Sequence, residues 1–134
     1  MVGIIRTRTE IEEAIAKIAD IRARSKNVAV AGGRKFNPGF HLAFDLDNML
    51  LVAESTAKSA LLREESRGGH TRDDFPGMNN TWRQVNHISS FDGNQVNIKA
   101  QALPMLPKEL FDLFDVHELE KYMTPEEIAK GGSN

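Results

Sequence analysis

The chain has no cysteine, which excludes disulfides, thiolate metal sites, iron–sulfur ligation and a thiol nucleophile anywhere in its 134 residues. That absence also fits a reducing compartment. A single Trp and a single Tyr leave no interleaved aromatics on which single-stranded nucleic acid would stack. Neither sign of charge dominates: 17 Lys and Arg stand against 19 Asp and Glu, for a net charge of -2, so nothing attracts nucleic acid or an anionic membrane to the chain as a whole. No apolar run approaches the roughly 20 residues of a membrane span. The start, Met1-Val2-Gly3-Ile4-Ile5-Arg6, lacks the apolar core of a signal peptide, and the chain is expected to be soluble. What remains is ordinary globular composition, 40% hydrophobic and 27% charged. The length suits one domain with a modest core, and is too short for a nucleotide-binding domain plus a separate catalytic one.

Ile11, Ala14, Ile15, Ile18 and Ile21 recur at helical spacing, with charged residues mostly on other faces. The spacing predicts an amphipathic helix from about Thr9 to Arg24, capped by Thr9 with Glu12, or in competition by Thr7 with Glu10. Gly32-Gly33 and Asn37-Pro38-Gly39 then interrupt. A longer helix follows, with Leu42, Leu46, Met49, Leu50, Ala53, Ala57, Ala60 and Leu61 as its stripe. Phe40, Phe44, Leu51 and Val52 widen that stripe, so its N-terminal half is expected to be buried on two sides. Asp45 and Asp47 there require water or a partner. Gly68-Gly69 is expected to stop the helix near Arg67.

From His70 to Trp82 neither helix nor strand is expected. Val85–Phe91 and Gln95–Ala100 flank Asp92-Gly93-Asn94 and read as a hairpin with a three-residue loop, placing Ile88 opposite Ile98. An isolated hairpin is marginal, so this one should lean on the helices or on another chain. The tail reads as three short helices, Pro107–Phe114, His117–Met123 and Pro125–Lys130, the last capped by Thr124 with Glu127. Its apolar residues call for a docking surface, and Gly131 to Asn134 should fray. Residues 1–83 make a helical portion with a charged loop, and 84–134 a hairpin and tail of the same domain.

Chemistry concentrates in Arg63–Asp74, where three Arg, one His, two Glu and two Asp surround a glycine pair at a helix end. One reading makes His70 and Arg72 charge-assisted donors to an anionic ligand or to a partner's carboxylate. The plainer reading is a solvated helix terminus with local ion pairs. His41, His70, His87 and His117 lack the spacing of a zinc-binding helix, and no metal is expected. Gly32-Gly33-Arg34-Lys35 lacks both the Walker pattern and the dinucleotide fingerprint and reads as a connector. No strand–nucleophile–helix elbow is present. Residue types alone therefore leave two classes open, a support or interaction domain and a small enzyme using His70 and Arg72, with the first favoured.

Three blocks carry a resemblance: Phe36-Asn37-Pro38-Gly39-Phe40; Leu46-Asp47-Asn48-Met49-Leu50; and Glu65-Ser66-Arg67-Gly68-Gly69-His70-Thr71-Arg72-Asp73-Asp74-Phe75-Pro76 followed by Trp82-Arg83. In order and spacing they resemble the C-terminal helical domain of succinate dehydrogenase/fumarate reductase flavoprotein subunits, particularly the succinate dehydrogenases of actinobacteria-like bacteria. Related alternatives are the corresponding domains of fumarate reductase and L-aspartate oxidase, or a stand-alone interaction module. The resemblance implies a mainly α fold, a spectrin-repeat-like bundle that starts about one helix earlier in the family, so the chain is expected to be a piece of a longer protein. It implies a parent that oxidises succinate with FAD and passes electrons through an iron–sulfur subunit to quinone, cytoplasmic and peripheral at the inner face of the plasma membrane. No catalytic, cofactor-binding or metal residue is carried onto this chain. Ser66, Arg67, His70, Arg72 and Asp74 are expected to fasten it to the flavin-binding domain of the same flavoprotein. The iron–sulfur subunit is expected as a further partner, together with a flavinylation assembly factor. Alone, the chain is expected to be inactive and to self-associate through its open helical faces.

Overall fold

Two amphipathic stretches set the architecture of the computed structural model, which describes residues 2–131. After β1 (Ile5–Arg6) come α1 (Arg8–Ser25), α2 (Pro38–Leu62), β2 (Thr71–Arg72), α3 (Asn80–Arg83), β3 (Val85–Phe91), β4 (Val96–Ala102), α4 (Lys108–Phe111), α5 (Val116–Glu120) and α6 (Pro125–Lys130). The chain is mainly α, with a β-hairpin and a tail of short helices, as the resemblance implied. The expected fraying beyond Gly131 lies outside the described residues.

α1 starts from the earlier of the two competing caps. Thr7 is extended, its hydroxyl accepts from Glu10 N–H, and the Glu10 carboxylate accepts from Thr7 N–H at 2.8 Å. The choice is made from far away. β1 pairs in parallel with β2, which delivers the chain to Thr7 already extended, and Arg8 N–H donates to Asp74 at 3.0 Å. In α2, Asn37 is the N-cap and Pro38 the first helical residue, so the triplet read as an interruption is the helix start.

The helices pack antiparallel: Ile11 meets Ala57 and Ala60, while at the other end Ser25 Oγ donates to Asp47 at 3.2 Å. Small side chains let the backbones close, and Ile11 and Ala57 are fully buried beneath Val2, Ile15, Ile18 and Leu61. Glu54 is buried in the same seam, between Arg22 and Lys58. Burial alone would raise its pKa, but the hydrogen bonds from Lys58 and Arg22 carry it below the ordinary value. The buried stripe of α2 is narrow, limited to Leu50, Glu54, Ala57 and Ala60. Two-sided burial of its N-terminal half is not found, because Leu42, Phe44, Met49 and Val52 are each 61–66% exposed.

The hairpin leans on α2 through Ser55 Oγ–Ser89 Oγ (2.7 Å) and Lys58 Nζ–Val96 O (2.7 Å). Its register is one step from the expected one: Ile88 pairs with Lys99 and Ser89 with Ile98. The Asp92 carboxylate decides this. It accepts from Asn94 N–H and Gln95 N–H, both at 2.9 Å, so the loop spans 92–95 rather than three residues. A one-residue slip exchanges faces, which buries Val96 and leaves Ile88 exposed. In the tail, α4 and α5 are shorter than the periodicity suggested, whereas α6 forms with its Thr124–Glu127 capping box. Phe111 is buried, but Leu113 and Phe114 stay outside.

Ile11→Ala is expected to destabilise the chain by about 2–4 kcal/mol through loss of a well-packed side chain, measured by urea unfolding. Leu113→Ser, at an exposed position, is expected to stay within about 0.5 kcal/mol of the parent sequence.

Candidate functional site

The charged segment is neither a solvated helix end nor a set of free donors. α2 stops at Leu62, short of the Gly68-Gly69 stop, because Arg63 turns extended. A tight turn follows, with Arg67 N–H to His70 O at 2.8 Å and His70 N–H to Arg67 O at 3.0 Å; Gly68, at φ 57°, supplies the positive dihedral it needs. β2 then runs beside β1, bonded through Thr71 N–H to Ile4 O and Asp73 N–H to Arg6 O. Both the two-residue strand and α3 fall where no regular structure was expected. Each depends on a partner distant in sequence or on a local cap, with Asn79 accepting from Thr81 N–H.

Arg72 is completely buried. Its Nη1 lies 2.9, 3.2 and 3.3 Å from the carbonyl oxygens of Ala60, Leu61 and Arg63, the groups that the end of α2 leaves without intrahelical partners. Nε and Nη2 form a two-pronged pair with Asp74 at 2.8 and 2.7 Å. Phe75 lies under the guanidinium at 4.9 Å. Since Asp74 also accepts from Arg8 N–H, one ion pair joins the C-terminus of α2 to the N-terminus of α1. Each charge has the sign its helix end favours. The Asp74 hydrogen bonds raise the Arg72 pKa, and Arg72 in turn holds the Asp74 carboxyl well below its usual range.

Ser66 braces this centre: its hydroxyl accepts from Arg72 N–H at 2.9 Å and lies within bonding distance of the Arg72 and Phe75 carbonyls. Beside it, the buried Glu65 carboxylate takes hydrogen bonds from Arg63, from Arg67 and from Asn79 N–H at 2.8 Å. Burial pushes the Glu65 pKa up, but the bonds from Arg67, Asn79 and Arg63 outweigh it and bring it to about 2. His70 Nε2 sits 3.0 Å from Arg63 O. Burial lowers its pKa; the bond to Arg63 raises it; nearby Arg6, Arg72 and Arg63 lower it further, and the net effect disfavours imidazolium.

Ser66, Arg67, His70, Arg72 and Asp74 are thus brought together, but facing one another. Sequence reasoning missed Glu65 as a second centre, for which the only local signal was an arginine two residues to either side. It also missed the capping of α1 by Asp74, which no local spacing encodes. Gly68, Gly69, Asp73 and the 76–80 stretch remain exposed. No group of metal-ligating side chains occurs among the described residues.

The family described as "Fumarate reductase flavoprotein C-term" matches residues 1–122. The apo Sdh1 complex of Mycobacterium smegmatis contains a chain that is 46% identical, with TM-score 0.86, covering 97% of this chain and 23% of that one. A quinol fumarate reductase chain of E. coli aligns at 27% identity and TM-score 0.70, over 78% of this chain and 19% of its own. A fumarate reductase (CoM/CoB) chain of Methanothermobacter marburgensis is 37% identical over 83 residues, which is 62% of this chain but 15% of that relative's length.

Arg72→Ala is expected to cost about 2–4 kcal/mol, since it empties the space of a fully buried side chain and leaves the last α2 carbonyls without their donor. Arg72→Lys, with no planar fork, should recover little of this; thermal unfolding measures both. The unfolded chain protonates Glu65 near its ordinary 4.5, whereas the folded chain resists until about 2. The stabilisation is therefore complete above pH 4.5 and is lost as pH falls toward 2. Glu65→Gln should melt earlier at pH 7 and show a flatter dependence across that window.

Proposed function

The chain belongs to the fumarate reductase flavoprotein C-terminal family, and from that premise we propose that it is the non-catalytic support domain of a succinate dehydrogenase flavoprotein. In this reading the parent flavoprotein oxidises succinate to fumarate with FAD and passes electrons through an iron–sulfur subunit to quinone. The observation that carries the choice is the 46% identity and TM-score of 0.86 to the Mycobacterium smegmatis Sdh1 chain, against 27% and 0.70 for the E. coli quinol fumarate reductase. A second reading, in which the parent reduces fumarate, draws on the name of the Methanothermobacter relative. A domain that lends support and carries no redox centre serves either direction.

The N-terminus of α1 does not fit the pyrophosphate of a flavin dinucleotide. It is already filled by Asp74 and Glu10, both repelling a pyrophosphate, and of the arginines beside it Arg8 pairs with Glu64, Arg72 with Asp74, and Arg6 donates to Gly69 O. In this reading FAD belongs to the flavin-binding domain of the parent, and no redox step is routed through this chain.

The task of Ser66, Arg67, His70, Arg72 and Asp74 is to hold a loop in one shape, so that Gly68-Gly69, Asp73 and the 76–80 stretch meet that flavin-binding domain. Residues 1–83 and 84–134 act as one unit in this contact. A flavinylation factor and the iron–sulfur subunit are the further partners, and the parent sits peripherally at the inner face of the plasma membrane through its complex. Among the described residues, no helix is long and apolar enough to cross a membrane. Expressed alone, the chain pairs with itself through the exposed Leu42, Phe44, Met49 and Val52 of α2.

Arg72→Ala in the full flavoprotein is expected to lose assembly and succinate oxidation together, with His70→Ala milder. Intact assembly and turnover in both variants would remove the docking role. Comparing succinate oxidation with fumarate reduction by the native complex decides the direction. Sedimentation velocity of the isolated chain at micromolar concentration should give a dimer or larger species, and a monomer would end the self-association proposal.

A further inference from the structure

At the other end of the helical hairpin, roughly 35 Å from the Arg72 centre along α2, the connector between α1 and α2 has an unusual build. Asn37 organises it: its Nδ2 donates to Ala31 O at 3.0 Å and to Gly33 O at 2.9 Å, while its Oδ1 lies 3.4 Å from Phe40 N–H. Gly32 provides one positive φ, at 93°. The other falls on Phe36, at φ 54°, and Phe36 is the only non-glycine with a positive φ among the described residues. Its side chain is also fully exposed. A bulky aromatic in the left-handed region costs conformational energy, and here no burial offsets it. A residue serving only the fold of this chain would be buried, or would be glycine.

Along the connector itself the charges are of one sign, with Asp47 of α2 approaching only at Ser25. Arg22, Arg24, Lys26, Arg34 and Lys35 lie between residues 21 and 44 with no Asp or Glu among them. Arg22 and Arg24 have carboxylate partners in Glu54 and Asp20. Lys26, Arg34 and Lys35 are exposed, and none is among the ion pairs formed by the described residues. The Arg34 guanidinium lies over the Phe40 ring at 5.5 Å, and Phe40 packs edge-on against Phe44 at 4.8 Å. Pro38, His41 and Leu42 complete a shallow apolar rim.

We propose that this tip is a second docking surface, in which Phe36 enters an apolar socket on a partner protein and Lys26, Arg34 and Lys35 pair with carboxylates around the socket's mouth. Buried aromatic anchors ringed by polar contacts are the usual source of affinity in such interfaces. An anionic bilayer would also attract basic and aromatic residues, but a fluid accepts a Phe in any conformation and gives no reason to present it at a strained φ. The pattern therefore favours a shaped protein socket. The surface is separate from the Arg72 side, and it stands or falls independently of the reading given to that side.

The test uses the full natural protein, with the photo-crosslinking residue benzoylphenylalanine at position 36, irradiated in cells and mapped by mass spectrometry. Crosslinks to a single apolar site flanked by Asp or Glu are expected, with the yield falling about tenfold when Arg34→Glu and Lys35→Glu are added. Crosslinks only to lipid, no crosslink, a site without flanking carboxylates, or a yield indifferent to charge reversal would each overturn the proposal. Vesicles of phosphatidylcholine and phosphatidylglycerol should not co-sediment the full protein through this tip, and binding abolished by the same charge reversals would assign it to membrane instead. Phe36→Gly separates docking from folding. A higher melting temperature is expected, because the strain is relieved, whereas a lower one would make Phe36 a structural residue and refute its role as a knob.

Discussion

The Arg72 guanidinium and the Asp74 carboxylate hold together parts of the chain that have little else in common. The guanidinium closes the carbonyl end of α2, the carboxylate closes the amide end of α1, and the bond between them sets the distance between the two ends. Everything nearby follows from that constraint. β2 lies beside β1 because Arg72 must enter the gap at the end of α2, and Thr7 rather than Thr9 starts α1 because Asp74 is already waiting at Arg8. Antiparallel helices with few large residues in their seam gain modest hydrophobic energy, so an electrostatic clamp across their ends contributes more here than it would in a thicker core.

Such a clamp is brittle by construction. A buried charge pair is stabilising only while both charges and their remaining hydrogen bonds are present, and the same holds for Glu65 with its two arginines. The penalty is largest where the buried member stays behind: Arg72 without Asp74, or Glu65 without its arginines. Three features of the loop make this arrangement rigid: the glycine turn at Gly68, the Ser66 bridge and the Asn79 amide bonded to Glu65. A rigid loop with an exposed outer face is well suited to meeting another domain, since little conformational freedom remains to be lost on contact.

Helical periodicity was the most legible property of the chain. Ile11, Ala14, Ala57 and Ala60 occupy the buried faces that spacing assigned to them, and α6 forms where Thr124, Pro125 and Glu127 mark it. Boundaries and register were less legible. The end of α2 was placed at a glycine pair, but the carbonyls are taken by Arg72, a side chain that lies beyond those glycines in sequence. The hairpin register turned on whether the Asp92 carboxylate would gather two backbone amides, which shifted every pair by one. The apolar width of α2 was read as burial on both sides, whereas the described residues cover only one.

The sequence by itself determined the two long helices and α6, the hairpin, the lack of thiol, metal-helix and nucleotide-loop motifs, and the concentration of charge between Arg63 and Asp74. These are local properties, written in composition and in periods of two or 3.6 residues. Only the tertiary structure decided that this charge faces inward, that Arg72 serves α2 and Asp74 serves α1, and that Phe36 faces outward in a strained conformation. The reason is that an ion pair's role depends on its solvent exposure and on which helix ends lie within hydrogen-bonding distance. Both are consequences of the packing of segments some sixty residues apart, and no local pattern contains them.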